Sequence, residues 1–195
     1  SRVMYPARGM LNAFSAQLDD LRFSSSMLWL TDTFEDGNGV SMSLRHMLDE
    51  IQERDLPIDI LICSDTVKPE DHLVVVKPVA VYTPPFYKDQ PIRIPNILDI
   101  HKQFREGEYD RILCSTEGPM GFISIFLKKA YSVPAYFFVH TDWITFAKDT
   151  LNFSDPAMNR LRRILRGFYR SYDGVLVLNK EQKRWFSGPD MEFRK

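Results

Sequence analysis

Three short segments of this 195-residue chain carry glycines, carboxylates and a histidine in patterns that suit the transfer of a polar group. The first contains Gly37, Asn38 and Gly39 and lies between an apolar run and an amphipathic helix. Glycine lets a phosphate approach the backbone without a Cβ in the way, and asparagine tolerates a left-handed turn. The free amides at the start of the helix attract anions. The segment predicts a diphosphate-binding loop, and the alternative is a plain Asn-Gly turn.

The second and third segments supply groups for hydroxyl and proton chemistry. Glu117 and Gly118 lie directly before a helix that starts at a proline, and His140 and Asp142 follow an apolar run. An imidazole can stabilise a developing charge or hold a sugar hydroxyl, and carboxylates can orient hydroxyl groups. Each residue also has a structural interpretation: Glu117 is favoured by a helix dipole, His140 is a hydrogen-bonded histidine of the sheet edge, and Asp142 is a helix N-cap. Because all of them are placed directly after predicted strands, a functional site is favoured over these separate structural roles.

The hydrophobic pattern predicts the elements that must position these residues. Strands are predicted at 27–30, 58–63, 73–76, 79–82, 111–115, 135–139 and 175–178. Helices are predicted from Asn38-Gly39 onward and at 97–104, 121–131, 157–172 and 180–186. Apolar strands that alternate with helices indicate an α/β, doubly wound fold, with a mainly parallel sheet and helices on both faces. Ligands bind beyond the carboxyl ends of such strands, so we expect Asn38, Glu117 and His140 on one rim.

Composition limits the class of protein further. With 44% hydrophobic residues the chain can bury one substantial core, and its net charge of -1 argues against a nucleic-acid partner bound through overall charge. The two cysteines, Cys63 and Cys114, each lie near the end of an apolar strand without metal-site or disulfide spacing, so we expect them to be reduced, buried and inert. No apolar run approaches the ~20 residues needed to span a bilayer, which predicts a soluble, cytoplasmic protein.

The chain is interpreted as an excised domain with a short leading segment. Residues 1–26 are predicted to form an N-terminal amphipathic helix or linker, because Leu11, Phe14, Leu18 and Leu21 recur at helical spacing. Residues 27–195 are predicted to form one Rossmann-like domain.

The three segments together resemble one family. Residues 30–40 (LTDTFEDGNGV), 116–121 (TEGPMG) and 138–142 (FVHTD) are similar to the N-terminal domain of family 4 (group 1) glycosyltransferases, retaining enzymes with the GT-B fold. The resemblance covers residues 27–187 and its motifs follow the expected order. It implies the acceptor-binding half of a two-domain enzyme that moves a sugar from a nucleotide-sugar to a hydroxyl acceptor, a glycan or a lipid, with the anomeric configuration kept.

The resemblance also implies roles for individual residues. Asn38 and Gly39 would approach the donor diphosphate, Glu117, Gly118 and Asp142 would lie at the acceptor side of the cleft, and His140 would be catalytic beside the reacting sugar. The nucleotide-sugar is a substrate, and no cofactor or metal is implied. The family's second domain carries most nucleotide contacts. This chain is therefore expected to lack that C-terminal donor domain, to pair with it in the complete protein, and to be inactive alone.

Two other functions remain open at this point. One is a nucleotide-sugar epimerase of the same fold, and the other is a non-catalytic α/β binding module. A dinucleotide oxidoreductase is disfavoured, because no Gly-x-Gly-x-x-Gly follows the first strand.

One predicted helix is strongly basic. Its charged face carries five arginines, Arg160, Arg162, Arg163, Arg166 and Arg170, opposite an apolar face. A basic amphipathic helix lies on anionic membranes, which predicts peripheral membrane contact through Arg160, Arg163, Arg166 and Arg170. The alternative is a solvated face on a helix packed against the core.

Overall fold

The structure, a computed structural model, describes residues 25–35, 39–84, 91–149 and 153–187. Within these ranges the strands are β1 (Met27–Thr31), β2 (Ile58–Cys63), β3 (Leu73–Val76), β4 (Pro78–Tyr82), β5 (Ile92–Pro95), β6 (Arg111–Cys114), β7 (Ala135–Phe138) and β8 (Gly174–Leu176). The helices are α1 (Gly39–Glu53), α2 (Ile97–Glu106), α3 (Pro119–Tyr131), α4 (Trp143–Asp149), α5 (Asp155–Tyr169) and α6 (Lys180–Ser187).

The main sheet has six parallel strands in the order β3-β2-β1-β6-β7-β8. In its centre Leu30 of β1 lies opposite Leu61 of β2 on one side and Cys114 of β6 on the other. The chain builds outward from β1 through β2 and β3, and then from β6 through β7 and β8. The direction of winding therefore reverses between β1 and β6, and a doubly wound sheet binds ligands beyond this switch point.

Helices cover both faces of the sheet, as predicted. Alternate residues of a strand point to opposite faces, so Trp29 packs toward α1, where Leu44 and Leu48 are buried. Its neighbours Leu28 and Leu30 belong to the core cluster on the other face, which includes side chains of α2, α3 and α5. The α/β, doubly wound fold is confirmed.

The hairpin of β4 and β5 departs from the prediction. The pattern at 79–82 predicted a buried strand of the parallel sheet, but β4 pairs antiparallel with β5 outside that sheet, and Val79 and Val81 are exposed. Strand β5 was not predicted at all, because it is short and contains Pro95 at its end. An apolar run by itself does not say whether both of its faces are covered.

Several sequence expectations can be placed on this framework. Helix α1 begins at Gly39, as predicted. Cys63 and Cys114 are buried, and burial raises the pKa of each thiol to about 12, so both thiols are protonated at neutral pH. The helix predicted within residues 1–26, and the residues Gly37 and Asn38, lie outside the described ranges.

Candidate functional site

Hydrogen bonds join the ends of β1 and β6 across the switch point. Asp32, directly after β1, accepts a hydrogen bond from the Thr116 hydroxyl at 3.0 Å and another from the Met120 backbone N–H at 3.3 Å. The Thr116 hydroxyl oxygen in turn accepts from the Gly118 N–H at 3.2 Å. The Asp32 carboxylate thus satisfies an amide in the first turn of α3 from another strand. Sequence reasoning missed this residue, whose signal was a carboxylate next to the end of a buried strand.

Two glycines after β6, Gly118 and Gly121, occupy positions where the neighbouring atoms leave little room for a Cβ. Gly118 is the N-cap of α3 with φ of -80°, and a Cβ there would lie 2.4 Å from Oδ2 of Asp32. A Cβ on Gly121 would lie 2.3 Å from the backbone oxygen of Thr116 and 2.7 Å from Cζ of Phe168. These close approaches hold α3, the β6–α3 loop and α5 together at the rim.

Glu117 faces the same rim but bonds elsewhere. Its Oε1 accepts a hydrogen bond from the Tyr169 hydroxyl at 2.6 Å, and burial raises the pKa of its carboxyl. The Met120 amide at the start of α3 donates to Asp32, whereas Glu117 is bonded by Tyr169 of α5. The rim therefore holds two carboxyl groups with different partners.

His140 follows β7 and lies on the same rim. Its ring contacts that of Phe138 in a tilted arrangement with 4.2 Å between centroids, and its Nε2 is buried without a hydrogen-bond partner among the described residues. Burial lowers the pKa of the imidazole, which favours the neutral ring. A buried polar nitrogen without a partner is destabilising, so the hydrogen-bonded structural interpretation does not account for Nε2.

The structure does not bring His140 and Glu117 into contact. Phe138, whose ring contacts that of His140, packs against the core cluster under α1, whereas Glu117 bonds to Tyr169 of α5 on the opposite face. Gly39 is exposed at the start of α1, on the His140 side, and a Cβ at this position would meet no atom within 4 Å. No described glycine has positive φ, so Gly39 is not needed there for its backbone conformation.

Asp142 caps helix α4. Its Oδ1 accepts hydrogen bonds from the backbone N–H groups of Ile144 and Thr145, both at 3.1 Å, and its Oδ2 accepts from the Thr145 hydroxyl at 2.7 Å. The N-cap interpretation is confirmed, and a role in the cleft stays a prediction.

Two cavities open along the rim. The larger, of about 440 Å³, is lined by Asp32, Glu117 and Gly118 together with apolar side chains of α3, α4 and α5. The smaller, of about 260 Å³, is lined by Asp142 and by residues that follow β7 and β8. Trp143 lines both cavities, and His140 lines neither.

An ion pair fixes the β4–β5 hairpin to this rim. Nη2 of Arg93, in β5, lies 2.7 Å from Oε2 of Glu35, and its Nε lies 3.7 Å from Oδ1 of Asp65. Oε1 of Glu35 accepts from the Ser64 hydroxyl at 2.5 Å. Arg93 also lines the larger cavity, so the hairpin forms one of its walls. Sequence reasoning missed Arg93 because it did not predict β5.

Of the five arginines on or directly after α5, all but Arg166 are exposed, and Nε of Arg166 is buried. Arg160, Arg162 and Arg163 are exposed and form no ion pair with any described residue, and Arg166 is half-buried. The opposite side of α5 is buried against the sheet through Met158, Leu165, Phe168 and Tyr169.

The parts of the chain that the structure describes also bear on metals and membranes. They contain no group of three or more His, Cys, Asp or Glu side chains placed to hold a metal ion. None of their helices combines the length and apolarity needed to cross a membrane.

A parallel doubly wound sheet with polar side chains at its switch point defines the α/β class of ligand-binding domains. The sequence pattern of the family described as Glycosyltransferase Family 4 matches this chain over residues 37–188. Since the match covers most of the chain, the chain belongs to this family, and the family expected from the three motifs is confirmed. It contains a glycosyltransferase-type domain. The predicted site residues lie within the matched range, whereas Asp32 lies before it. No curated protein matches the chain.

Proposed function

We propose that this chain is the acceptor-binding domain of a retaining glycosyltransferase that moves a sugar from a nucleotide-sugar to a hydroxyl acceptor. Family membership supports the transferase class. The observation that carries the proposal is the buried Nε2 of His140, which has no hydrogen-bond partner among the described residues and lies on the ligand-binding rim of the sheet. A ligand hydroxyl at this nitrogen would satisfy it.

The two faces of the rim suit two halves of a transfer reaction. On the α1 side, the N-terminus of a 15-residue helix attracts the donor diphosphate, which would bind beside Asn38 and Gly39. His140 lies on this side as a neutral imidazole, able to hydrogen-bond the sugar as charge develops.

On the α3 side, the Tyr169 hydroxyl bonds to Glu117 at 2.6 Å and orients it, and Glu117 lines the larger cavity. In this position Glu117 would hold the acceptor hydroxyl. Asp142 contributes to the rim by fixing the start of α4. The donor nucleotide is expected to be held mainly by a second domain of the complete protein, so we expect this chain alone to transfer little sugar.

We also propose that the arginines of α5 contact an anionic membrane surface. Arg160 and Arg163 are exposed and form no ion pair with a residue in the described ranges, and they lie on a helix whose other side is buried in the core, which supports this partner.

The decisive experiment replaces His140 by alanine in the complete protein. We expect turnover to fall roughly a hundredfold, as when one donor to a developing charge is lost, with a melting temperature close to that of the wild type. Steady-state transfer of a labelled sugar measures the first quantity and thermal melting the second.

His46→Ala is the matched control, because this histidine is exposed on α1 with a relative side-chain exposure of 79%. Turnover that is unchanged in His140→Ala with an intact fold would refute the catalytic role. Product analysis separates the alternatives: an epimerase changes the activated sugar without consuming an acceptor, and a binding module retains both substrates unchanged.

A further inference from the structure

The larger cavity has a polar end and an apolar body. Asp32, Thr116 and Glu117 lie at the end formed by the strand carboxyl termini. The rest is formed mainly by apolar side chains of α3, α4, α5 and the hairpin, among them Phe122, Phe146, Ile164, Phe168 and Ile92. Its volume of about 440 Å³ falls in the range of small-molecule sites, about 300–1,000 Å³.

Packing of the core does not explain the apolar mouth of this cavity. Phe122 and Ile164 lie on two different helices and are 62% and 63% exposed. Phe122 meets Phe168 edge to face, with 5.6 Å between ring centroids. Large apolar side chains that line one open cavity and remain exposed are typical of a binding surface for an apolar group.

We propose that this cavity holds the apolar chain of an amphiphilic acceptor whose hydroxyl lies beside Glu117, an inference that rests on the function proposed above. A purely polar glycan would lose water at its hydroxyls along the apolar walls and find few hydrogen-bond partners there. An alkyl or prenyl chain gains free energy from the same walls, while its hydroxyl end reaches the polar rim.

The charge around the mouth agrees with this occupant. Arg163 is adjacent to Ile164 in α5, and Arg160 lies one turn earlier; both are exposed. An acceptor held in an anionic lipid surface would bring negative charge to these arginines while its chain enters the cavity.

The test uses the fluorescence of Trp143, which lines the cavity. Bromoundecanol is titrated into the chain, since bromine quenches tryptophan on contact, and the difference between wild type and Trp143→Phe isolates the signal of this residue. We expect saturable quenching of Trp143. Ile164→Asp should weaken binding at least about tenfold, because it replaces apolar contact area by a charge.

Met42→Asp is the matched control, because Met42 is 61% exposed on α1, which packs on the other face of the sheet. It should bind the alcohol like the wild type. Equal affinity of the two aspartate variants, or no Trp143 quenching in the folded wild type, would overturn the inference.

Transfer assays on the complete protein distinguish this inference from the proposed function. A raised KM for a long-chain alcohol in Ile164→Asp, with kcat retained, supports both. If the protein transfers sugar to a polar glycan and Ile164→Asp does not change that rate, the inference is contradicted and the proposed function is still supported. Quenching by the alcohol without transfer to any hydroxyl contradicts the function and leaves the apolar site standing.

Discussion

Burial acts in opposite directions on the pKa values of the two ionisable groups proposed for the reaction. It raises the pKa of Glu117 and lowers that of His140, and in both cases the neutral form is favoured. His140 is therefore uncharged at neutral pH. A neutral ring presents one N–H donor and one acceptor nitrogen, so it can bond a sugar hydroxyl in either direction.

Another histidine, His72, allows a test of pH-dependent stability away from the site. Its Nδ1 lies 3.0 Å from Oδ1 of Asp59, whose Oδ2 accepts from the Tyr109 hydroxyl at 2.5 Å. Burial by itself lowers the pKa of His72, but the hydrogen bond and charge of Asp59, together with the charge of Asp71 and the Ile58 carbonyl, outweigh it and the pKa is raised. The folded chain thus holds this proton more tightly than the unfolded chain does.

The stabilisation from His72 is fully present below the unfolded pKa of about 6.5 and is lost as the pH rises through the higher folded value. His72→Asn removes the titration and keeps a residue that tolerates the φ of 57°. Urea unfolding at about pH 5.5 and about pH 8.5 should show wild type losing stability relative to this variant at the higher pH.

If the wild type instead gains stability relative to His72→Asn as the pH rises, the Asp59 interaction does not raise the pKa of His72.

Residue type and position after a strand were enough to select Glu117 and His140 from the sequence. Their partners were not predictable in the same way. Tyr169 is separated from Glu117 by 52 residues, and Asp32 from Thr116 by 84, so both contacts depend on how the helices and strands are ordered in space. A sequence pattern describes one element at a time.

At the scale of elements, the start of α3 is the tightest junction of the rim. Gly121→Ala would place a Cβ 2.3 Å from a backbone oxygen of Thr116, which cannot move without shifting the β6–α3 loop. We expect a loss of about 1–3 kcal/mol in the free energy of unfolding, as for other overpacked sites. Urea denaturation measures it.

Gly167→Ala is the control for that substitution. Gly167 is exposed in α5 and a Cβ there would meet nothing within 4 Å, so alanine should stabilise the helix by about 0.5–1 kcal/mol. Similar effects of the two alanines would contradict the packing argument.

The sequence pattern correctly predicted the strands that are buried on both faces of the sheet. In strand β2, residues 60–63 are all apolar because helices cover both sides of the sheet. The β4–β5 hairpin breaks this rule: residues 79–82 also form an apolar run, but Val79 and Val81 are exposed, and Arg93 anchors the hairpin by an ion pair. Its role as a cavity wall depends on this contact.

At the scale of the whole molecule, the proposed donor and acceptor groups lie at the same rim of the parallel sheet but on its two opposite faces. The donor side lies under α1, and the acceptor side lies between α3 and α5. The proposed transfer reaction therefore requires the two substrates to meet above the strand ends.

The whole molecule also has an uneven charge, which leads to the last prediction. The net charge is only -1, yet α5 and the residue after it carry five arginines. Each basic residue near an anionic lipid surface contributes about 1 kcal/mol, so the double variant Arg160→Gln with Arg163→Gln should lower partitioning onto anionic vesicles roughly thirtyfold. Vesicle sedimentation with phosphatidylglycerol-containing and pure phosphatidylcholine vesicles measures this.

The control removes two charges at the far edge of the sheet, Lys68→Gln with Lys77→Gln, both exposed near β3. Because it changes the net charge equally, any effect of total charge appears in both variants, whereas an effect of the α5 face appears only in the arginine variant. Binding should also weaken as salt shortens the Debye length. Equal binding by the two double variants, or binding indifferent to lipid charge, would assign the arginines to a solvated face instead.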